Sequence, residues 1–392
     1  MKVPATVAAF IVATPDPDQY TTLPTTPVSE EEPFLSVDSQ GSYNVFVPAV
    51  RRNTVGPSYA SGAEAGRSIP IERFFMASPS TPVLAINAAL ARGENLIITP
   101  GVYKLHGTIE VTHPDTIVLG LGFPTLIPQD GNVSMRTASV PGVKLSGIIF
   151  DAGPRNSPAL LEVGRCRPDV NGNRAGALEG DRGPQAGCQA GGGTDDRNDP
   201  SLVQDIFFRI GGAEAGQATN GMVVNADNAI LDDVWAWRAD HGAGAGWNSN
   251  RADTGVIVNG DHVTAYGLAV EHFQKFEVIW NGQDGRDVFF QNELPYDPPS
   301  QSAWMSSPTT DGYAAFLVSP NVTRFQGYGM GSYSFFNQGV PIFATQAFQS
   351  PDTPGVQFRD VLTVFLNAKQ GSGGIDTVIN GVGGSSTAAN PS

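Results

Sequence analysis

Five segments of this chain superimpose without gaps: VKLSGIIFD from Val143, LVQDIFFR from Leu202, AILDDVWAW from Ala229, VTAYGLAVE from Val263 and VQFRDVLTV from Val356. Each alternates apolar and polar residues, meets a Gly or Asp, and continues into a hydrophobic run. Gly147, Asp205, Asp233, Gly267 and Asp360 fall in one column, and Ile148, Ile206, Val234, Leu268 and Val361 in the next. A looser copy, VTRFQGYGM from Val322, puts Gln326 in the first column. Alternation marks strands with one face inward, and a Gly or Asp column marks a bend of unusual φ or a capped turn. Such a unit cannot bury its apolar face alone, so its neighbours must supply the missing contacts. The fold class that follows is all-β, a right-handed parallel β-helix forming one cooperative domain. Column spacings of 28 residues (Asp205 to Asp233) and 34 (Asp233 to Gly267) suit coils of three short strands. Copies twice as far apart, such as Gly147 and Asp205, imply a skipped coil. VTAYGLAVEHF, FEVIWNG and RDVFFQNEL read as the three strands of one turn.

The remaining segments are arranged around this stack. Residues 1–75, rich in Pro, Thr, Ser and Glu, read as an extended arm with a few strands, residues 76–370 as the β-helix, and residues 371–392 as a disordered tail. Thr81 to Arg92 reads as a short N-terminal capping helix, with the preceding Ser and Thr as N-caps and Arg92-Gly93 as the stop. A Gly-rich insertion spans 164–200 and holds both cysteines, Cys166 and Cys188, which either close the loop as a disulfide or remain free thiols. Two Cys without nearby His supply too few ligands for zinc. The opening MKVPATVAAFIVA fits either the remnant of a secretory signal peptide or a first strand.

Composition agrees with a strand-rich chain: Gly 46 and Pro 30 supply turns, while only 16% of residues are charged. A net charge of −15 repels phosphate backbones and anionic surfaces, which excludes nucleic acid as a partner. No run approaches the roughly 20 apolar residues needed to cross a bilayer. These properties suit a secreted protein. DVNGNRAGALEGD, from Asp169, departs from a calcium loop, since Arg174 stands where Gly is needed and Gly180 where Glu is needed. No metal and no cofactor are expected.

LIITPGVYKL, then VLGLGFPTLIP, then the repeats, resemble the pectin-lyase-like β-helix superfamily. PFLSVDSQGSYNVFVPAVRRNTVG, the run from DDVWAWRADHGAGAGWN to FEVIWNG, and VFFQNELPYDPPSQSAWM resemble a bacterial and fungal group labelled "coagulation factor 5/8 type domain" or "adenylyl cyclase". No second, discoidin-like domain and no nucleotide-binding motif accompany that likeness. The group is similar to β-helix glucanases, the α-1,3-glucanases of glycoside hydrolase family 87 and, more remotely, the β-1,3-glucanases of family 55. The likeness covers roughly residues 33 to 370 and implies several catalytic aspartates, two of them adjacent. Asp232 and Asp233 are the adjacent pair in that region, although Asp233 already has a turn role.

Glycoside hydrolysis ordinarily needs one carboxylic acid and one carboxylate, and a β-helix assembles such pairs from successive coils about 4.8 Å apart. In the repeat register Asp151, Arg209, Trp237 and Glu271 share a column, Arg238 and His272 the next, and Asp240 aligns with Gln274. Asp240 and Glu271, with Glu293 on the following strand, are therefore the expected catalytic residues. Trp237, Arg238, His241, Trp247, His272, Trp280, Tyr296 and Asp297 are expected to bind substrate, because aromatic faces stack on sugars while charged groups hold hydroxyls. Trp235, one place after Val234 in its strand, is expected to be an inward core residue, and an Arg238–Asp240 ion pair bracing a loop is the bland alternative to sugar binding by those two. The function expected is a secreted glycoside hydrolase acting on a polysaccharide, a glucan with α-1,3 linkage favoured. A non-catalytic glycan-binding solenoid is the alternative. A polysaccharide lyase is less suited, because an acidic protein repels a uronate polymer.

Overall fold

The computed structural model describes residues 21–58, 62, 64–165, 196–367 and 369–392. The cysteines and the rejected calcium loop lie outside these residues, as does the opening apolar run. Two long parallel sheets, of 12 and 8 strands, run the length of the right-handed solenoid. The repeats are consecutive strands of the larger one: Lys144–Asp151, Leu202–Ile210, Ile230–Arg238, Thr264–Glu271, Gly285–Glu293, Phe325–Ser334 and Val356–Phe365.

The Gly/Asp column is a corner. Gly147, Asp205, Asp233, Gly267 and Asp360 all take left-handed φ values between 50° and 68°. Gly reaches that region without a Cβ clash, and Asp tolerates it through local hydrogen bonding. Each long strand therefore bends at this residue. Two of the three strands expected per coil are one bent strand, and the third lies in the smaller sheet. After the corner, Ile148, Ile206, Val234, Leu268, Phe290 and Met330 point inward and are at most 1% exposed. Full burial of one such side chain is worth about 1.5–3 kcal/mol.

Three register expectations need correction. Lys144–Asp151 pairs directly with Leu202–Ile210, so no coil is skipped, and the extra length lies between them in sequence. Gly285–Glu293 pairs with Thr264–Glu271 and opens the next coil, with Phe289 as its left-handed corner at φ 71°. In the following strand the corner is Gly329, φ 61°, not Gln326: Met330 pairs with Val361, which places Gly329 beside Asp360. Phe289 is neither Gly nor Asp, which hid this coil.

At the exit of the smaller sheet an amide ladder ties the coils. Asn259 Nδ2 donates to Asn225 Oδ1 at 2.8 Å, Asn281 Nδ2 to Asn259 Oδ1 at 2.7 Å, and the Ser319 hydroxyl to Asn281. The helix spans Val83–Ala91 and buries Ile86, Ala89 and Leu90 at the N-terminal end of the stack. Pro82, not Ser or Thr, is its N-cap. Thr81 instead accepts from Ser78 N–H at 2.9 Å. Gly93, φ 81°, terminates it.

Within the arm, Thr26–Ser29 pairs with Arg51–Thr54, and Phe34–Val37, Tyr43–Pro48 and Gly66–Pro70 form a small antiparallel sheet. The segment after Gly371 is ordered, contrary to expectation: Gly373–Ile375 pairs with Ile342–Ala344 and with Ser386–Thr387, and Ile375 is fully buried. Its Gly-Ser-Thr composition hid it, because here backbone pairing, rather than an apolar run, orders the chain.

Candidate active site

Strict alternation after the corner sends Val234 and Ala236 inward and Trp235 and Trp237 outward. Trp235 is 41% exposed, so it is a surface residue and not the core residue expected. Its indole stacks on Trp237 with centroids 5.8 Å apart, and Trp237 in turn meets His241 at 5.2 Å. Hydrogen-bonded register continues the column from Asp151 through Arg209 and Trp237 to Glu271. One coil further on, the His272 N–H donates to Glu293 O at 2.7 Å, and Glu293 pairs with Tyr333. Glu271 and Glu293 thus project from adjacent strand ends on one face.

The three expected carboxyl groups converge. Asp240, just beyond the Ile230–Arg238 strand, contacts His241 Nδ1 at 2.7 Å. Both Asp240 Oδ1 and Glu293 Oε2 stand 4.0 Å from His272 Nε2, so they are separated by at most twice that distance. Glu271 Oε2 accepts from Trp235 Nε1–H at 3.0 Å. Tyr296 donates its hydroxyl proton to Glu293, and its ring lies edge-on to His272 at 4.5 Å.

Burial raises Glu271 above the ordinary carboxylate range, opposed by the Trp235 and Gln291 N–H donors and reinforced by the Glu293 and Asp240 charges. Burial lowers His272, against the pull of Asp240 and Glu293. Tyr296 is raised, first by burial and then by its bond to Glu293.

Several expected binding residues prove to be framework. Arg238 is fully buried and forms a bidentate pair with Asp297, both N–O distances 2.9 Å, rather than with Asp240. Its Nε donates to Asn250 O at 2.9 Å and Nη1 to His272 O at 3.1 Å. Breaking such a pair by removing one partner leaves an uncompensated buried charge. Arg238 is sealed from a sugar, whereas the Asp297 side chain keeps 19% exposure. Trp247 packs against the core with the Arg238 guanidinium 5.6 Å from its ring centre. Trp280 is fully buried, stacked on Phe316 at 6.0 Å, because it shares the inward face of its strand with Val278. Trp237, His241, His272 and Tyr296 remain around the acids. Asp232 and Asp233 are not part of the site, since they lie at and before the corner.

Sequence reading missed Trp235, Gln291 and Asn250. Trp235 was available from alternation, and Gln291 from the unrecognised Phe289 repeat. Asn250, whose amide donates to Ile210 O at 2.9 Å and Ala239 O at 2.8 Å from a fully buried position, has no local signal.

Residues 74–293 match the LAM55 pectate lyase-like domain model. This chain belongs to that family. The LAM55 chain is 44% identical over 369 residues to an exo-β-1,3-glucanase of Streptomyces sp. (strain SirexAA-E / ActE), covering 94% of this chain and 56% of that protein. It superposes on the structure of sacteLam55A from Streptomyces sp. SirexAA-E with a TM-score of 0.85 at 43% identity, over 96% of this chain and 63% of that one. A glutamate-to-alanine variant of sacteLam55A in complex with glucose gives 0.83 at 42% identity. The LAM55 chain thus spans less than two thirds of these relatives. The match corrects the likeness to family 87, for the relative bears a β-1,3 and not an α-1,3 linkage in its name.

Proposed function

We propose that this LAM55 domain hydrolyses β-1,3-glucan from a chain end, outside the cell, with Glu293 as the acid and Glu271 as the water-orienting carboxylate. The observation that carries the reading is the meeting of Glu271 and Glu293 at adjacent strand ends, beside an exposed Trp235–Trp237 pair. Two carboxyl groups so placed repel when both are ionised, so the pair favours holding one proton. Glu271 accepts hydrogen bonds from the Trp235 indole and the Gln291 amide N–H, which favour its carboxylate form against burial and the neighbouring Glu293 and Asp240. Glu293 Oε2 accepts from the Tyr296 hydroxyl and stands 4.0 Å from the His272 ring nitrogen, at the end of the next coil. The acid role, delivery of the pair's one proton, is assigned to Glu293. On cleavage Glu293 gives it to the departing glycosidic oxygen while Glu271 draws a proton from the attacking water. Linkage and chain-end preference follow the 44% identical relative.

Incubation with β-1,3-glucan, α-1,3-glucan, dextran and pectate, followed by product analysis, tests this. Glucose released from β-1,3-glucan alone is expected. An unsaturated product from pectate, or glucan binding without any release, would overturn the proposal.

A further inference from the structure

The outer face after the corner carries aromatic rings well away from the carboxyl pair, and they form one line that ends on it. Trp235, whose indole bonds to Glu271, pairs in register with Phe207 on the coil before, and Phe207 pairs with Ile149. Phe207 lies two coils from Glu271, about 10 Å at the strand spacing, beyond the reach of a sugar seated over Glu271 and Glu293. It is half-buried, and its ring meets that of Phe123 with centroids 5.4 Å apart. Phe123 enters from the turn before Thr125–Pro128, the strand that pairs with Lys144–Asp151, and is 46% exposed.

Phe123 is not an ordinary turn residue. Its backbone is left-handed, φ 54°, where an aromatic side chain is an outlier and Gly or Asn is the ordinary occupant. A turn alone does not call for phenylalanine there. What the residue supplies is a ring, nearly half of it in solvent, laid against the ring of Phe207.

The line is also one-sided. In the outward column of Phe207 and Trp235 the next coils supply Ala269, Gln291 and Gly331. In this column, then, flat apolar faces lie only on the N-terminal side of the carboxyl pair. Polar groups accompany them: Arg209, the next outward residue after Phe207, has its side chain 45% exposed and is braced by Asp151 at 2.6 Å. A few fixed polar groups beside aromatic faces suit a sugar chain. A net charge of −15 disfavours an anionic polymer, and a neutral one meets no repulsion.

We propose that Phe207 and Phe123 form a remote binding surface for the neutral glucan chain, holding sugars beyond the one at the carboxyl pair, on the coils that lead to Glu271 from the N-terminal side. The proposal rests on the glucanase reading and adds to it where the rest of the polymer lies. Longer chains therefore gain affinity that a disaccharide cannot.

The test compares kcat/KM on β-1,3-linked glucose di- and hexasaccharides for the whole chain and for its Phe123→Ala and Phe207→Leu variants. Leucine keeps apolar bulk at the half-buried position and removes only the flat ring. The parent is expected to favour the hexasaccharide. Each substitution should lower the hexa- to disaccharide ratio by about 3- to 10-fold, the value of one aromatic stack, mainly through KM. Affinity of the hexasaccharide for Glu293→Gln chains carrying the same substitutions should fall by a similar factor. A ratio held at the parent value, including one held because both substrates suffer equally, would overturn the proposal. A parent that cleaves neither oligosaccharide would fault the assignment of function instead, and the affinity series would then decide the binding surface by itself.

Discussion

Two groups of acids lie on the outer side of the larger sheet, one before the left-handed corner and one after it, and only the second is built like a site. Before the corner, the arm covers the sheet. Leu23 and Val28 pack on Leu202, Ile230, Tyr266 and Val288, and Tyr266 donates its hydroxyl proton to Val28 O at 2.6 Å. There Glu30 pairs with Lys144 at 2.9 Å, both side chains 3% exposed. Glu32 and Asp232 are pushed up to about 7, chiefly by burial and then by neighbouring acids. After the corner, Asp240 is exposed and Glu271 and Glu293 are partly buried, among indole, imidazole and phenol groups. Density of carboxylates is therefore a poor guide to chemistry. What separates the two groups is the company they keep, a covering strand in one case and proton donors, proton acceptors and sugar-sized aromatic faces in the other.

Substitutions can break this contrast. Glu293→Gln and Glu271→Gln should each lower kcat on β-1,3-glucan by about 10²- to 10⁴-fold, the usual share of a positioned acid or base. Asp232→Asn should leave it near the parent value, and an equal loss there would dissolve the distinction. Lys144→Met strands Glu30 in the interior and should lower stability by about 3–5 kcal/mol in urea unfolding. Replacing both partners with Met should recover most of that, because the penalty is for an unpaired charge. If the double variant is as unstable as the single, the arm is held by something other than this pair.

A third effect is one of pH. Folded Asp232 and Glu32 keep their protons to about pH 7, whereas in the unfolded chain they lose them near pH 4. Between those limits the folded state binds more protons, so these groups make stability fall as pH rises from about 4 to about 7, with no further loss above. Asp232→Asn should flatten part of that slope in thermal melts recorded across the window, and an unchanged slope would remove Asp232 from the account. Smallest is Trp235→Phe, which keeps the aromatic face but deletes the N–H to Glu271. It should reduce kcat about fivefold, one ordinary hydrogen bond, with little change in KM. A loss confined to KM would make Trp235 a binding platform alone.

The sequence made the corner legible because Gly and Asp are chemically marked for left-handed backbone. Where Phe289 and Gly329 took the same conformation outside the expected frame, the register slipped and one coil was misassigned. Asp240, Glu271 and Glu293 were found because stacking converts equal sequence register into proximity. Arg238 and Trp280 were misread because residue type does not reveal burial: a guanidinium wholly enclosed by Asp297, Asn250 and His272 has the same letter as one awaiting a sugar. The N-terminal arm's cover over Asp232 joins segments some two hundred residues apart, and no local pattern announces such a contact.

The central claim is that glucan is cut on the outer face after the corner, over Glu271 and Glu293. Its most direct test is a crystal structure of the Glu293→Gln chain with a β-1,3-linked oligosaccharide. The account predicts a glycosidic oxygen within hydrogen-bond reach of residue 293, a water beside Glu271, and a sugar face against Trp237. Sugar bound along the amide ladder of Asn225, Asn259 and Asn281, with the face over Glu271 and Glu293 empty, would contradict it.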